Sequence, residues 1–204
     1  AAIAPAETPS SAARTAAAQA ADATTLYARL HAIISELVTA KNFLIALYHP
    51  DNKDITIPYF VDEKDAQAPV KRFHYGIGMS SYVLARRKAC LLDASSYAAL
   101  VASGEMDEPL GNVGIASWMG APMLLGERKY GVIIVQSYDE SVVYGQAELD
   151  VLAFMASHVA VAMARIQADS AMRQAKEALE EQNAALNSAL SALQEAQSEL
   201  VRQE

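Results

Sequence analysis

The chain has 204 residues, 52% of them hydrophobic, and a formal net charge of −8. That length suits one domain with an extension or two small ones, with apolar side chains enough for a sizeable core. The acidic balance and the lack of a Lys/Arg cluster argue against a nucleic-acid-binding surface, which must neutralise phosphates. The single cysteine, Cys90, excludes an internal disulfide framework and fits a reducing cytosol, so a cytoplasmic setting is expected. No strongly apolar run approaches the ~20 residues of a membrane span.

Residues 1–21 are rich in Ala, Ser, Thr and Pro and read as a tail, loose at first and helical later. Glu7, Arg14 and Asp22 interrupt any signal-peptide core. From Asp22 the pattern is helical, with Leu26, Leu30, Ile33, Ile34 and Leu37 expected on one buried face. Phe43–Tyr48 reads as a strand, 49–54 as a turn cluster and Ile55–Val61 as a second strand. Pro58 has no ladder N–H, which places that strand at a sheet edge or on a bulge. A polar loop follows over Asp62–Val70. Gly76-Ile77-Gly78 then leads into a short helix, Ser80–Arg87, and a brief strand, Ala89–Leu92. Asp93–Gly114 is long, with one helical turn expected near Tyr97–Ser103; loops of that length in compact domains are often functional.

The strongest local pattern is a hairpin, Ile115–Tyr138, with two apolar runs around Gly126-Glu127-Arg128-Lys129. Met119, Met123, Leu125, Val132 and Ile134 alternate with Trp118, Leu124, Ile133 and Val135. Both faces are apolar, so the hairpin needs cover on both sides and belongs at the centre of a layered domain. Gly145 with Glu148 opens a helix over 146–166 whose apolar face is Leu149, Leu152, Ala153, Ala156, Val159, Ala160 and Met163.

The last stretch differs in kind. Met172, Leu179, Leu186, Leu193 and Leu200 recur every seven residues, which predicts a coiled coil over 167–204. With the leucines at d, the a positions are Lys176, Asn183, Leu190 and Gln197. A buried Asn183 would fix register in a two-stranded coil, so a parallel homodimer is expected, with Met172, Leu179, Asn183, Leu186, Leu190, Leu193 and Leu200 in the seam. The pattern runs to the last residue, and the chain reads as a piece of a longer protein.

Helix, two strands, Gly-x-Gly loop, short helix, short strand, long loop, hairpin and helix, in that order, resemble the GAF domain, a small-molecule sensor module of signalling proteins. The residues that carry the resemblance are Asn42–Tyr48, Pro58–Glu63, Gly76-Ile77-Gly78 with Tyr82-Val83-Leu84, Ala121-Pro122-Met123 and Tyr130–Glu140, within 22–166. The end, Leu193–Glu204, looks like the helix that precedes the phospho-accepting helix of bacterial sensor histidine kinases; similar helices precede diguanylate cyclase domains. The resemblance implies an α+β fold: a central antiparallel sheet with the first and last helices on one face, loops and short helices enclosing a pocket on the other, and a long C-terminal coiled-coil helix. It implies a sensing and dimerisation module of a two-component histidine kinase, with a covalently linked output domain beyond this chain. A ligand-free dimerisation module and a regulator of a diguanylate cyclase are the alternatives.

No catalytic motif stands in the chain: no P-loop, no Gly-x-Ser-x-Gly, no His-Glu-x-x-His. His31, His49, His74 and His158 have no metal-ligand spacing with one another or with Cys90, so no metal is expected. Cys90 is followed by Leu91 rather than by the His of bilin-carrying relatives, so no bilin is expected. Relatives that reduce methionine sulfoxide use several cysteines. Asn52-Lys53 and Phe60-Val61-Asp62-Glu63 look like a cyclic-nucleotide pattern, but their spacing and placement are wrong. The candidate ligand-binding residues are Tyr48, Tyr59, Asp62, Tyr75, Tyr82, Trp118 and Ser137. Tyr and Trp can stack on a ring and offer a hydrogen bond, and Asp62 can hold an amine or hydroxyl. The plain alternative is that Trp118 and the tyrosines fill the core.

Overall fold

The computed structural model describes residues 11–66, 68, 71–106 and 114–203, with side chains described within these from 23 to 198 and at 202. The elements are α1 (Ser11–Leu37), β1 (Asn42–His49), β2 (Asp54–Val61), β3 (Arg72–His74), α2 (Gly78–Arg86), β4 (Cys90–Asp93), α3 (Ala94–Ala102), β5 (Ser117–Leu125), β6 (Arg128–Ser137) and α4 (Gln146–Gln203). Among the described residues six strands form one antiparallel sheet in the order β3-β2-β1-β6-β5-β4. The hairpin strands β5 and β6 lie inside it, as their two apolar faces require.

Register fixes which face each side chain serves, because alternate residues of a strand point to opposite sides. Trp118 pairs with Gln136 and Met119 with Val135. Trp118 packs with Leu44, Ala46, Val132 and Ile134 from the sheet, Val83 and Leu84 from α2, and Met106 beyond α3. Met119, Ala121, Met123, Ile133 and Val135 are fully buried on the opposite face, toward α1 and the first part of α4. This corrects the expected grouping, which set Trp118 beside Ile133 and Val135, and Met119 beside Val132 and Ile134.

The bulge of β2 lies where proline predicts it. Ile45 pairs with Tyr59 but Leu47 with Thr56, so Ala46 faces the irregularity at Ile57-Pro58. β3 pairs with Asp54–Thr56 alone, which leaves Pro58 beyond the ladder. Beside this point β6 needs a glycine. Gly131 has φ +154°, and a Cβ there would fall on the Ala46 carbonyl oxygen, so β1 and β6 approach too closely for a side chain.

Helix α1 turns inward one edge of the expected face: Leu30 and Ile34 are buried together with Tyr27 and, just past the helix, Val38, whereas Ile33 is 48% and Leu37 60% exposed. α3 is a nine-residue helix, longer than the turn expected, and starts on a capping box: Asp93 accepts from the Ser96 N–H while the Ser96 side chain serves the Asp93 backbone. Residues 107–113 of the long loop lie outside the described residues. α4 opens as predicted, with the Glu148 carboxylate accepting from the Gly145 N–H at 2.9 Å. A window of α4 is long and apolar enough to cross a bilayer by composition, but Leu149, Leu152, Ala156 and Ala160 within it are core residues.

The chain divides into two compact units, Ala1–Ala160 and Val161–Glu204. The second is helical as far as Gln203. Its stripe side chains stand exposed: Met172 72%, Leu179 58%, Leu186 58%, Leu190 50% and Leu193 66%. The side chain of Leu200 lies outside the described residues.

Candidate functional site

The α2/α3 face of the sheet is where a ligand compartment would form, and four of the seven candidates meet there. Trp118 is in the core cluster of that face, and Tyr48, Tyr75 and Tyr82 are partly buried against it together with Phe60, Phe73, Met79 and Tyr97. The rings interact. Tyr48 and Tyr75 lie 5.1 Å apart and tilted. Lys129 donates to the Tyr75 hydroxyl at 3.1 Å and sits 5.0 Å from its ring centre. Arg86 stands 4.9 Å over Tyr82 while pairing with Glu105 at 2.7 Å. Cation–ring contacts of this kind hold long side chains in place at the cost of little solvation.

Trp118 is 2% exposed, and Gly120 makes room for it. A Cβ at Gly120 would lie 2.8 Å from Trp118 Cζ3 and closer still to Cη2. The indole therefore lies along its own strand, over the residue two positions on, and forms part of the floor.

Asp62 joins this face at its polar end. Gln136 alternates with Ile134 and so points to the same side; its Nε2 donates to Asp62 Oδ2 at 2.9 Å. The Tyr138 hydroxyl donates to Asp62 Oδ2 at 3.0 Å. The backbone N–H groups of Lys64 and Asp65 donate to Asp62 Oδ1 at 2.9 and 3.2 Å. The carboxylate is thus held by four neighbouring groups, and Lys64 covers the Tyr138 ring at 3.9 Å. Burial first, then the Asp62 hydrogen bond and charge, push the Tyr138 hydroxyl pKa well above its ordinary value.

Tyr59 and Ser137 are not in this group. Tyr59 pairs with Ile45 and faces α1, where its hydroxyl lies 3.1 Å from His31 Nδ1. His31 Nε2 donates to the Ala40 carbonyl at 2.7 Å, so in the neutral ring Nδ1 accepts from Tyr59. The imidazole also stacks on Phe43 at 4.5 Å. Ser137 pairs with Ser117 next to the α1/α4 face, and its hydroxyl accepts from the Asp139 N–H at 3.1 Å. Sequence reasoning overlooked Gln136, Tyr138 and Lys129. The two-residue period was the available signal for the first two, since both flank Ser137 and so take the side it does not. Cys90 is half-buried against the same cluster, and burial pushes its thiol up to about 11, which makes it a packing residue with little thiolate at neutral pH.

A single antiparallel sheet, with long helices on one face and short helices over an aromatic cluster on the other, is the layout of a regulatory sensing module. The sequence model of the GAF domain matches residues 20–164, and the chain belongs to the GAF domain family. The fold agrees with solved structures at low identity. A GAF/HD domain protein from Geobacter sulfurreducens gives a TM-score of 0.56 at 14% identity, over 73% of this chain and 96% of that one. The GAF domain of a phosphoenolpyruvate-protein phosphotransferase from Coxiella burnetii gives 0.55 at 18%, over 75% and 93%. A domain assigned to a two-component sensor histidine kinase protein from Sinorhizobium meliloti 1021 gives 0.51 at 13%, over 73% and 96%. No curated protein matches the chain.

Proposed function

We propose that this chain is a cytoplasmic sensing and dimerisation module of a bacterial two-component histidine kinase. A small molecule on the α2/α3 face biases the module between two packings, and the helical C-terminal unit of a parallel homodimer passes the bias to a linked output domain. Such coupling requires a ligand that binds the two states with different affinity. The observation that carries the reading is the convergence of Tyr48, Tyr75, Tyr82 and Trp118 on one sheet face with Asp62 at its end. The leucine stripe of the second unit, open to solvent in a single chain, supports the dimer.

A metabolite thermal-shift screen, followed by native mass spectrometry of each hit, tests sensing. A ligand at about 100 times its Kd adds about 2.7 kcal/mol to stability, so a clear rise in Tm is expected. Retention of the full shift in a Tyr48→Ala/Tyr75→Ala variant would count against the site. The coding sequence downstream of Glu204 tests the output: a His followed by Glu and a later Asn-x-x-Pro is expected, and a cyclase domain in its place supports the alternative. One observation favours a ligand-free dimerisation module instead. The Trp118 ring, seated on Gly120, fills part of the floor that a ligand would use. A stable dimer that no compound stabilises would select that reading.

A further inference from the structure

In the sequence the cations are scattered, but the fold gathers a set of them at one end of the sheet. β1 is antiparallel to β2 and β6, and β5 to β4 and β6. The 50–53 turn, the 126–127 turn, the close of β3 and the link from α2 to β4 therefore share that end. It carries Lys53 on the first turn, Arg72 and His74 on β3, Arg86, Arg87 and Lys88 where α2 ends, and Arg128 and Lys129 at the start of β6. Of the carboxylates there, Asp54 is taken by Arg72 and His74 and Glu105 by Arg86. Glu127 lies 3.7 Å from Arg87, and Asp51 stands on the first turn, so the cations are in excess. The opposite end has the other sign: Asp62, Glu63, Asp65, Asp93, Asp139 and Glu140 stand there with Lys41 and Lys64. β1 has eight residues, which sets the two ends about 25 Å apart. That is several times the Debye length of about 8 Å at physiological salt, so a body touching the cationic end is screened from the acidic one.

Two details give this end a use beyond folding. Lys53 (φ 55°) and Arg87 (φ 56°) are the non-glycine residues with positive φ among those described, and both stand here. Left-handed backbone favours glycine and strains a residue with a Cβ. Arg87 has a local reason to be there, since its guanidinium donates to the Gly126 and Glu127 carbonyls at 2.6 and 3.1 Å. Lys53 has none: it is exposed, and among the described residues neither it nor Lys88 makes an ion pair or a side-chain hydrogen bond. The second detail is Leu125, paired with Arg128 at the hairpin tip and 44% exposed. It is an apolar side chain set among cations.

We propose that this end of the sheet docks on an anionic lipid bilayer. Turn tips spread across six strands make a rim roughly 24 Å wide, which suits a planar array of head groups. Lys53, Lys88 and Arg128 meet the lipid anions, and Leu125 enters the boundary between head groups and acyl chains. A soluble polyanion that wrapped the domain would run onto its acidic end, whereas a bilayer met end-on does not.

Co-sedimentation of the full chain with vesicles of phosphatidylcholine containing roughly one-third phosphatidylserine, and with phosphatidylcholine alone, tests this. Binding is expected to the mixed vesicles only, and to fall as salt is raised. A lysine beside such a surface is worth about fivefold in partition, so Lys53→Gly and Lys88→Gln should each weaken binding about fivefold. Lys53→Gly also relieves the left-handed backbone. It should bind more weakly while resisting urea at least as well as the parent chain, which a loss of fold would not produce. Lys41→Gln makes the same charge change at the opposite end and should bind as the parent does. Equal binding to both kinds of vesicle overturns the proposal, as does parental binding by the Lys53→Gly/Lys88→Gln double variant. Retention on heparin beads with no binding to either vesicle also overturns it, and gives the rim to a soluble polyanion instead.

Discussion

Adding one methyl group at Gly120 tests whether the Trp118 indole is packed as the structure places it. Gly120 has ordinary strand backbone, so Gly→Ala alone should gain about 0.5–1 kcal/mol through reduced chain freedom. The new Cβ, however, meets the indole at 2.8 Å from Cζ3 and 3.0 Å from Cζ2. Trp118 is 2% exposed and packed within the core cluster of the α2/α3 face. Overpacking of this kind costs about 1–3 kcal/mol, and the net effect of Gly120→Ala is a loss of up to about 2.5 kcal/mol. In a Trp118→Ala background, itself destabilised by about 3–5 kcal/mol, the clash is gone and Gly120→Ala should become neutral or stabilising. Urea unfolding followed by far-UV circular dichroism at one protein concentration gives the four corners of the cycle; Trp118→Leu replaces Trp118→Ala where too little folded protein remains. Trp118 is the one tryptophan of the chain, so its emission reports the same event, moving to longer wavelength in Gly120→Ala. An equal cost for Gly120→Ala in both backgrounds would refute the placement of the ring and, with it, Trp118 as the floor of the α2/α3 face.

Further outcomes follow from other sites. Gly131→Ala should destabilise by about 3 kcal/mol or more in urea unfolding, since φ +154° and the Ala46 carbonyl both oppose a side chain. Tyr59→Phe should cost about 0.5–1.5 kcal/mol through the lost His31 hydrogen bond, while leaving the affinity of any thermal-shift hit unchanged, because Tyr59 faces α1; a changed affinity would return it to the site. Cys90 should react with a thiol reagent at pH 8 more slowly than a free thiol. The folded thiol is raised from 9.0 to about 11, so its contribution to stability is full below pH 9 and falls as pH rises from there toward 11. Labelling as fast as glutathione would contradict that burial.

Strong periodicity made much of this fold readable in advance. β1, β2 and the hairpin stand within a residue or two of their expected bounds because alternating or continuous apolar runs end at turn residues. β3 was missed since Arg72-Phe73-His74 is three residues with one half-buried side chain, too short for any pattern. In α1, Leu26, Leu30, Ile33, Ile34 and Leu37 left a wide apolar stripe, and spacing alone did not say which edge turns inward; Tyr27 and Val38 decide it by burial. The candidate ligand residues divide for a related reason. Tyr48 and Tyr59 are equivalent in composition, but pairing through the Pro58 bulge sends them to opposite faces. Register is a property of two strands together, and one strand's sequence does not contain it. Asp62 was legible as a polar group near the aromatic face, but not as a carboxylate already held by Gln136, Tyr138 and two backbone N–H groups.

The outermost strands of the sheet are its shortest, three residues in β3 and four in β4, against eight to ten in the strands between them. β3 also carries Arg72 and His74, both drawn to Asp54 of its neighbour. An edge this brief and this charged offers an approaching strand little to pair with. Two copies of the chain that met at high local concentration would find no ladder long enough to extend. A destabilised variant is then expected to fail by unfolding before it fails by joining sheets edge to edge, and the helices are left as the surfaces on which copies can recognise one another.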